Sequence, residues 1–241
     1  MAGHSKWNNI KRKKEGKDNQ RAKVFTKISR EILVCIRESG SADPNTNSKL
    51  RELVAKAKSN NIPNDNIERL LKKAQGGEKN DYDSCVYEGY GVSGIAVLVS
   101  CLTDNRNRTA SEIRHAFDKN GGNLGTTGCV SFMFVEKGVV IIENEDEKIS
   151  PDAFMEHAIE VGADDYLFED GVIEVYTDVN AAGGVGEALS NCGYKVFSAQ
   201  NEQIPSTYTK LTDDEQIKKM TVLLEMLEDN DDVQNVWHNW E

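Results

Sequence analysis

Residues 138–177 have the sequence GVVIIENEDEKISPDAFMEHAIEVGADDYLFEDGVIEVYT. Together with the residues that follow, they predict four strands and two helices: strand 138–143, helix 151–162, strands 166–169 and 172–177, helix 180–192 and strand 194–204. The span 138–204 therefore has the order β-α-β-β-α-β, which is typical of a ferredoxin-like domain.

The two flanks of this span predict the parts of a second α/β domain. Their elements are strands 85–90 and 95–102, helix 106–120, strand 129–135, helix 213–229 and strand 233–238. The pair Lys137-Gly138 separates the strand at 129–135 from the next one. Since neither flank alone makes a complete layer of sheet and helices, we expect them to join, with the ferredoxin-like domain inserted between them.

The segment before residue 81 has the pattern of a small helical bundle. We expect helices at 21–39 and 47–60, and a third that is capped by Asn64 or Asp65 and closed by Gly76-Gly77. Residues 4–20 lack an apolar stripe and predict a basic arm or an exposed helical extension. The predicted fold class is α+β, with domain limits at 1–80, 81–135 plus 205–241, and 136–204.

Charge is distributed unevenly along the chain. The whole chain carries −11, but residues 1–80 contain 19 Lys and Arg against 9 Asp and Glu, a net +10, and the remainder carries −21. Such asymmetry favours a nucleic-acid partner for the basic part. The alternative is a set of ordinary solvated helix faces, and the acidic remainder could instead bind a basic protein.

Several classes of protein are disfavoured. No run of 18 apolar residues predicts a membrane span, and the first residues lack a secretory signal. The five cysteines are too scattered to predict a disulfide framework or a zinc site, so we expect reduced cysteines in the cytoplasm and no metal.

The glycine motifs do not predict a cofactor site. Gly89–Gly94 matches G-x-G-x-x-G, but an apolar strand follows where a dinucleotide site needs a helix, so a hairpin turn is expected. The glycines of 121–128 follow a helix and predict a flexible loop. The acidic residues 228–232 predict a solvated helix end and lack the glycine of a calcium loop. We expect no cofactor, no small-molecule substrate and no catalytic residues.

Two arginines are candidates for an anion site. Arg106 and Arg108 fall in the first turn of the helix predicted after the segment Thr103-Asp104-Asn105, where the helix dipole disfavours cations. A bound phosphate would reverse that penalty, and pairing with Glu112 or another carboxylate would do the same. If phosphate binds, replacing both should weaken binding and leave the fold intact.

The remaining candidates lie in the arm and at the start of the first helix. Backbone phosphates require positive charge but no strict geometry. The aromatic ring of Trp7 can stack on a base or pack against the helical bundle. The candidate residues are Lys6, Trp7, Lys11, Arg12, Lys13, Lys14, Lys17, Arg21, Lys23 and Lys27.

Three motifs resemble those of the YebC/PmpR family. The first is Ala2-Gly3-His4-Ser5-Lys6-Trp7, with Asn9-Ile10-Lys11 and the segment from Arg21 to Lys27. The second comprises Tyr87–Gly91 and Leu102–Thr109, and the third comprises Asp231–Val236 with His238-Asn239. Val92 and Trp237 depart from the usual proline and tyrosine.

The resemblance implies three domains, no enzymatic activity and, because the motif begins at residue 2, the bacterial cytoplasmic form. Family members are described as DNA-binding transcriptional regulators, and relatives act in translation, one as a mitochondrial activator and others at ribosomes stalled on proline runs. We therefore expect DNA as the ligand, with ribosomal RNA or the ribosome as the alternative. A helix-turn-helix is not recognisable in the sequence, and the oligomeric state is not determined by it.

Overall fold

The computed structural model describes residues 19–75, 81–144, 148–169 and 171–241. The fold is α+β: an N-terminal helical bundle is followed by two α/β domains, one of them ferredoxin-like and inserted into the other. The chain forms two compact units. Met133–Thr207 belongs to one, and the described residues up to Phe132 belong to the other together with Tyr208–Trp240.

Three helices form the bundle: α1 at Asn19–Ser39, α2 at Ser48–Ser59 and α3 at Asn64–Gln75. Their apolar stripes meet in one core, where Ile32 and Leu50 are almost fully buried. Asn47 begins α2 by accepting a hydrogen bond from the Leu50 N–H at 3.1 Å. The predicted cap of α3 is wrong, because Asn64 is already helical and Pro63 precedes the helix. Gly76-Gly77 lies outside the described residues.

The next elements are β1 at Asp83–Tyr90, β2 at Ala96–Thr103, α4 at Arg106–Lys119 and the short β3 at Asn123–Leu124. β1 and β2 pair antiparallel in register from Asp83↔Thr103 to Tyr90↔Ala96. A single 3-10 turn, Val92–Gly94, joins them, and Gly94 takes a φ of +75°. The predicted hairpin at Gly89–Gly94 is confirmed, and the helix that a dinucleotide site requires does not follow it.

The inserted domain contains β4 at Phe134–Glu143, α5 at Pro151–Glu160, β5 at Asp165–Glu169, β6 at Val172–Thr177, α6 at Ala182–Asn191 and β7 at Val196–Pro205. Its sheet has the order β5-β6-β4-β7 with antiparallel neighbours, which is the ferredoxin-like arrangement. Both helices bury apolar residues against one face, where Phe154 and Leu189 are fully buried.

The prediction of two strands at 129–135 and 138–143 is wrong. The structure has one continuous strand, β4, which spans both sides of Lys137-Gly138. It pairs with β7 from Phe134↔Pro205 onward. Gly138 lies inside this strand, where a Cβ atom would lie 2.6 Å from the Asp178 carbonyl oxygen. The glycine therefore permits a close backbone approach and does not mark a turn.

The chain then returns to the first sheet through α7, Asp214–Asp229, and β8, Val233–His238. The sheet order is β3-β1-β2-β8, and α4 and α7 pack on it through a core that includes Phe117 and Leu223. This return places the end of α7 and the first residue of β8 beside the C-terminal end of β2, where Leu102 N–H donates to the Asp232 carbonyl oxygen. The candidate site lies at this edge.

Candidate nucleic-acid interface

Arg30 of α1 contacts the segment between α7 and β8. Its Nη1 atom lies 2.6 Å from a carboxylate oxygen of Asp232, 2.6 Å from the Asp231 carbonyl oxygen and 3.2 Å from that of Leu102. Its guanidinium also lies 5.2 Å from the centre of the Tyr82 ring. The side chain is 14% exposed, so this is a buried cation with several acceptors. Arg30 thus joins the bundle to the first sheet.

Asp232 receives hydrogen bonds from several directions. Besides Arg30, its donors are Thr103 Oγ1 at 3.0 Å, Thr109 Oγ1 at 2.7 Å and Arg108 Nη2 at 2.7 Å. Burial raises the pKa of this carboxyl, but the hydrogen bonds outweigh it and hold the pKa at about 2. The prediction of a solvated helix end is therefore wrong at Asp232, which is 3% exposed.

Arg108 is bonded to two carboxylates. Its Nη2 atom lies 2.7 Å from Asp104 Oδ1 as well as 2.7 Å from Asp232 Oδ2. These hydrogen bonds raise the pKa of the guanidinium, and the one donated to Asp232 has the larger effect. The backbone N–H of Arg108 donates to the side chain of Asn105, which caps α4. Pairing with carboxylates thus offsets the unfavourable effect of the helix dipole on Arg108. The partners are Asp104 and Asp232, and not Glu112.

Arg106 occupies a more open position. Its Nε atom donates to Asp83 at 3.0 Å, and both side chains of that ion pair are 60% exposed. A second bond runs to the Ser84 carbonyl oxygen at 3.3 Å, and the Tyr87 hydroxyl donates to the Arg106 carbonyl oxygen. Arg106 and Arg108 are therefore not equivalent, because Arg108 reaches a buried carboxylate and Arg106 a solvated one.

Two lysines of α1 contact the end of α7. Lys23 Nζ lies 2.9 Å from Asp229 Oδ1, and Lys27 Nζ lies 2.7 Å from the Glu228 carbonyl oxygen. The last carbonyls of a helix carry partial negative charge, so Lys27 is favoured at this helix end. Lys23, Lys27, Arg30 and Arg108 all bond to residues 228–232, which we name the acidic turn. Sequence reasoning missed Arg30 and recognised residues 228–232 only as a solvated helix end; the excess of carboxylates there was the available signal for their role as partners of these cations.

The rest of the predicted interface lies outside the described residues. This holds for Lys6, Trp7, Lys11, Arg12, Lys13, Lys14 and Lys17 and for the side chain of Arg21.

Sequence reasoning also missed cations on the other helices of the bundle. The exposed ones are Lys49, Arg51 and Lys58 on α2, and Arg69, Lys72 and Lys73 on α3. They alternate with the buried apolar stripe, and this alternation was visible in the sequence as helical spacing. They add exposed positive charge to the bundle outside the acidic turn, beside the exposed carboxylates Glu52, Asp65 and Glu68.

The glycine-rich loop after α4 is attached to a buried carboxylate. Glu88 of β1, 4% exposed, accepts hydrogen bonds from the backbone N–H groups of Gly128, Val130 and Ser131 at 2.7, 2.8 and 2.8 Å. Burial raises the pKa of Glu88, but these hydrogen bonds lower it overall. The carboxylate occupies the N–H groups that a phosphate would otherwise use, so the loop has a structural role.

Within the described residues, no group of three or more His, Cys, Asp or Glu side chains is arranged to hold a metal ion. The same part of the chain contains no helix that is long and apolar enough to cross a membrane.

Two family models match the chain. The TACO1/YebC protein N-terminal domain matches residues 5–77, and the TACO1/YebC second and third domain matches residues 82–240. The first match covers the bundle, and the second covers both α/β domains.

Curated relatives match over the full length. A protein of Acetivibrio thermocellus is 52% identical over 241 residues, covering 100% of this chain and 99% of its own. One of Agathobacter rectalis is 49% identical over 242 residues and fully covered. Both are named "Probable transcriptional regulatory protein". The crystal structure of the conserved hypothetical protein Aq1575 from Aquifex aeolicus matches with a TM-score of 0.83 and 42% identity, covering 93% of this chain and 91% of that one.

Proposed function

Since the chain belongs to the TACO1/YebC family, we propose that it is a non-enzymatic regulator of gene expression that binds nucleic acid, with DNA as its ligand. The names of its relatives support a regulator of transcription. Binding to ribosomal RNA or to the ribosome, in a translational role, is the alternative.

The observation that carries this proposal is the positive charge of the bundle and its arm. Residues 1–80 hold a net +10 in a chain of −11, and the cations of α2 and α3 other than Lys56 are exposed. Nucleic acid is bound largely through such cations, because each phosphate contact releases condensed counterions. The acidic remainder would be repelled by phosphates, so the bundle is the part that approaches the ligand.

Their contacts within the protein divide the proposed binding residues into three groups. The arm, Arg21 and the exposed cations of α2 and α3 supply the phosphate contacts. Lys23 and Arg106 form exposed ion pairs and Lys27 bonds to a backbone carbonyl oxygen, and a phosphate can replace these contacts, since exposed ion pairs contribute little free energy. Arg108 is held by the buried Asp232, so we assign it to stability in place of phosphate binding.

A direct competition separates DNA from the ribosome. Full-length protein is labelled with a fluorescent maleimide at the exposed Cys192 and mixed with a promoter duplex at physiological salt. Purified ribosomes, ribosomal RNA or a duplex of unrelated sequence are then added as competitors. We expect the promoter duplex to retain the protein. Complete transfer to ribosomes would overturn the assignment to DNA and support the translational alternative. Absence of binding to the promoter duplex and to all three competitors would refute nucleic-acid binding itself.

A further inference from the structure

A shallow cleft lies between α1 and α3 of the bundle. It has a volume of about 250 Å³ and is lined by Phe25, Asn66, Arg69, Leu70 and Lys73. The four α3 residues are spaced three and four apart, so they form one face of that helix. Phe25 is contributed by α1 and closes the other side.

The lining combines two kinds of chemistry. Phe25 and Leu70 are half-buried and supply an apolar wall, while Arg69 and Lys73 are exposed at its edge. Asn66 adds an amide that can both donate and accept hydrogen bonds. None of the five lining residues is acidic. The cleft therefore has an aromatic face and positive charge without a lining carboxylate.

The cleft is separate from the acidic turn. In an α-helix, residues two apart point in nearly opposite directions, so Phe25 lies on the other side of α1 from Lys23 and Lys27. A ligand at Phe25 therefore does not require the contacts at Asp229 and Glu228 to break.

We propose that this cleft binds an unpaired nucleotide of single-stranded nucleic acid, with the base against Phe25 and the adjoining phosphate at Arg69 and Lys73. Base–aromatic stacking needs a free face of the base, which a base inside a duplex does not offer, and guanidinium and ammonium groups bind the phosphate. The amide of Asn66 reaches the edge of the base. This inference rests on the proposed function and adds a contact with an unpaired base to the phosphate contacts that a duplex also offers.

The test compares oligonucleotides of equal charge with and without bases. Full-length protein is titrated with a short single-stranded oligothymidylate and with an abasic oligomer of the same length, in which every sugar lacks its base. An oligouridylate of that length tests RNA. We expect the wild type to bind the oligomers with bases about 5- to 100-fold more tightly than the abasic one. Equal affinity would overturn the proposal.

Two substitutions at Phe25 separate stacking from folding. Phe25→Leu keeps an apolar side chain without an aromatic face, and Phe25→Tyr keeps the face. We expect the preference for bases to fall towards one in the Leu variant and to persist in the Tyr variant, with circular dichroism confirming that both fold. A preference that is unchanged in Phe25→Leu would assign the stacking to another residue and refute this site.

The phosphate contacts have their own control. The double variant Arg69→Gln/Lys73→Gln should weaken binding of both oligomers equally, whereas the matched variant Lys210→Gln/Lys218→Gln, which removes the same charge outside the bundle, should have a smaller effect. Equal effects of the two double variants would show that the cleft does not position the phosphate. If the wild type binds no oligomer, duplex or ribosomal RNA, the proposed function fails as well, whereas retained binding without dependence on Phe25 refutes the cleft alone.

Discussion

The guanidinium of Arg30 lies 2.6 Å from the carboxylate of Asp232, a residue 202 positions later in the chain. The exposed fractions of the two side chains are 14% and 4%, so both charges are largely removed from water. Burial of this kind is tolerated when the remaining hydrogen-bonding positions are filled, and Thr103, Thr109 and Arg108 fill those of Asp232. The pair thus links α1 to the first sheet through a buried carboxylate.

Replacing Asp232 with Ala should destabilise the protein by about 3 to 5 kcal/mol, because two arginines lose their buried partner. Asp231 provides a matched control, since it is exposed and contacts Arg30 through its backbone carbonyl. Asp231→Asn should change stability by no more than about 0.5 kcal/mol. Urea unfolding of both variants measures the difference. Similar unfolding midpoints would show that the Asp232 carboxylate does not link the bundle to the sheet.

The pKa of Asp232 also predicts how stability depends on pH. Its folded value of about 2 lies below its ordinary value of 3.8, so the folded state binds this proton less readily than the unfolded state. The stabilisation is fully present above about pH 4 and is lost as the pH falls towards 2, with a total of about 2 kcal/mol. The difference in unfolding free energy between the wild type and the Asp232→Asn variant should therefore decrease as the pH falls from about 4 to about 2. A difference independent of pH would place the Asp232 pKa at its ordinary value.

Arg108→Ala and Arg106→Ala should now differ, although both were first considered as parts of one anion site. Arg108 donates to the buried Asp232, so its loss should cost about 1 to 2 kcal/mol after allowing for its partial exposure. Arg106 pairs with the exposed Asp83, so its loss should have almost no effect on stability. Thermal unfolding measures this ranking. For the proposed interface, Arg106→Ala should weaken binding of nucleic acid slightly at low salt.

Changing Lys11, Arg12, Lys13 and Lys14 to Gln should flatten the dependence of log affinity on log salt by up to about three units, with weaker binding of every nucleic-acid sequence. These residues lie outside the described part of the chain, so this prediction derives from sequence. A control with the same change in charge replaces Lys119, Lys210, Lys218 and Lys219, which are exposed on or near the first α/β domain. If the plots of log affinity against log salt concentration have the same slope for the wild type and the arm variant, the arm makes no phosphate contacts.

Local pattern was sufficient for most of the secondary structure. The strand at Val233–His238 has the predicted limits, and α1, α4 and α7 differ from theirs by one or two residues. The prediction of two separate strands before residue 144 was wrong because Glu136, Lys137 and Gly138 interrupt the apolar pattern of the sequence. Pairing with β7 nonetheless continues through all three residues. The domain limits and the binding residues of the arm remain predictions.

The sequence by itself determined the fold class, the basic bundle and the hairpin at Gly89–Gly94, because each follows from short-range periodicity or turn chemistry. The tertiary structure alone decided which cations are bonded within the protein. Lys23 and Asp229 are 206 residues apart and Arg108 and Asp232 are 124 apart, and only the return of α7 and β8 to the first sheet brings them together. Composition records the number of charges, but the free energy of a charge depends on its burial and its partners, which chain folding sets.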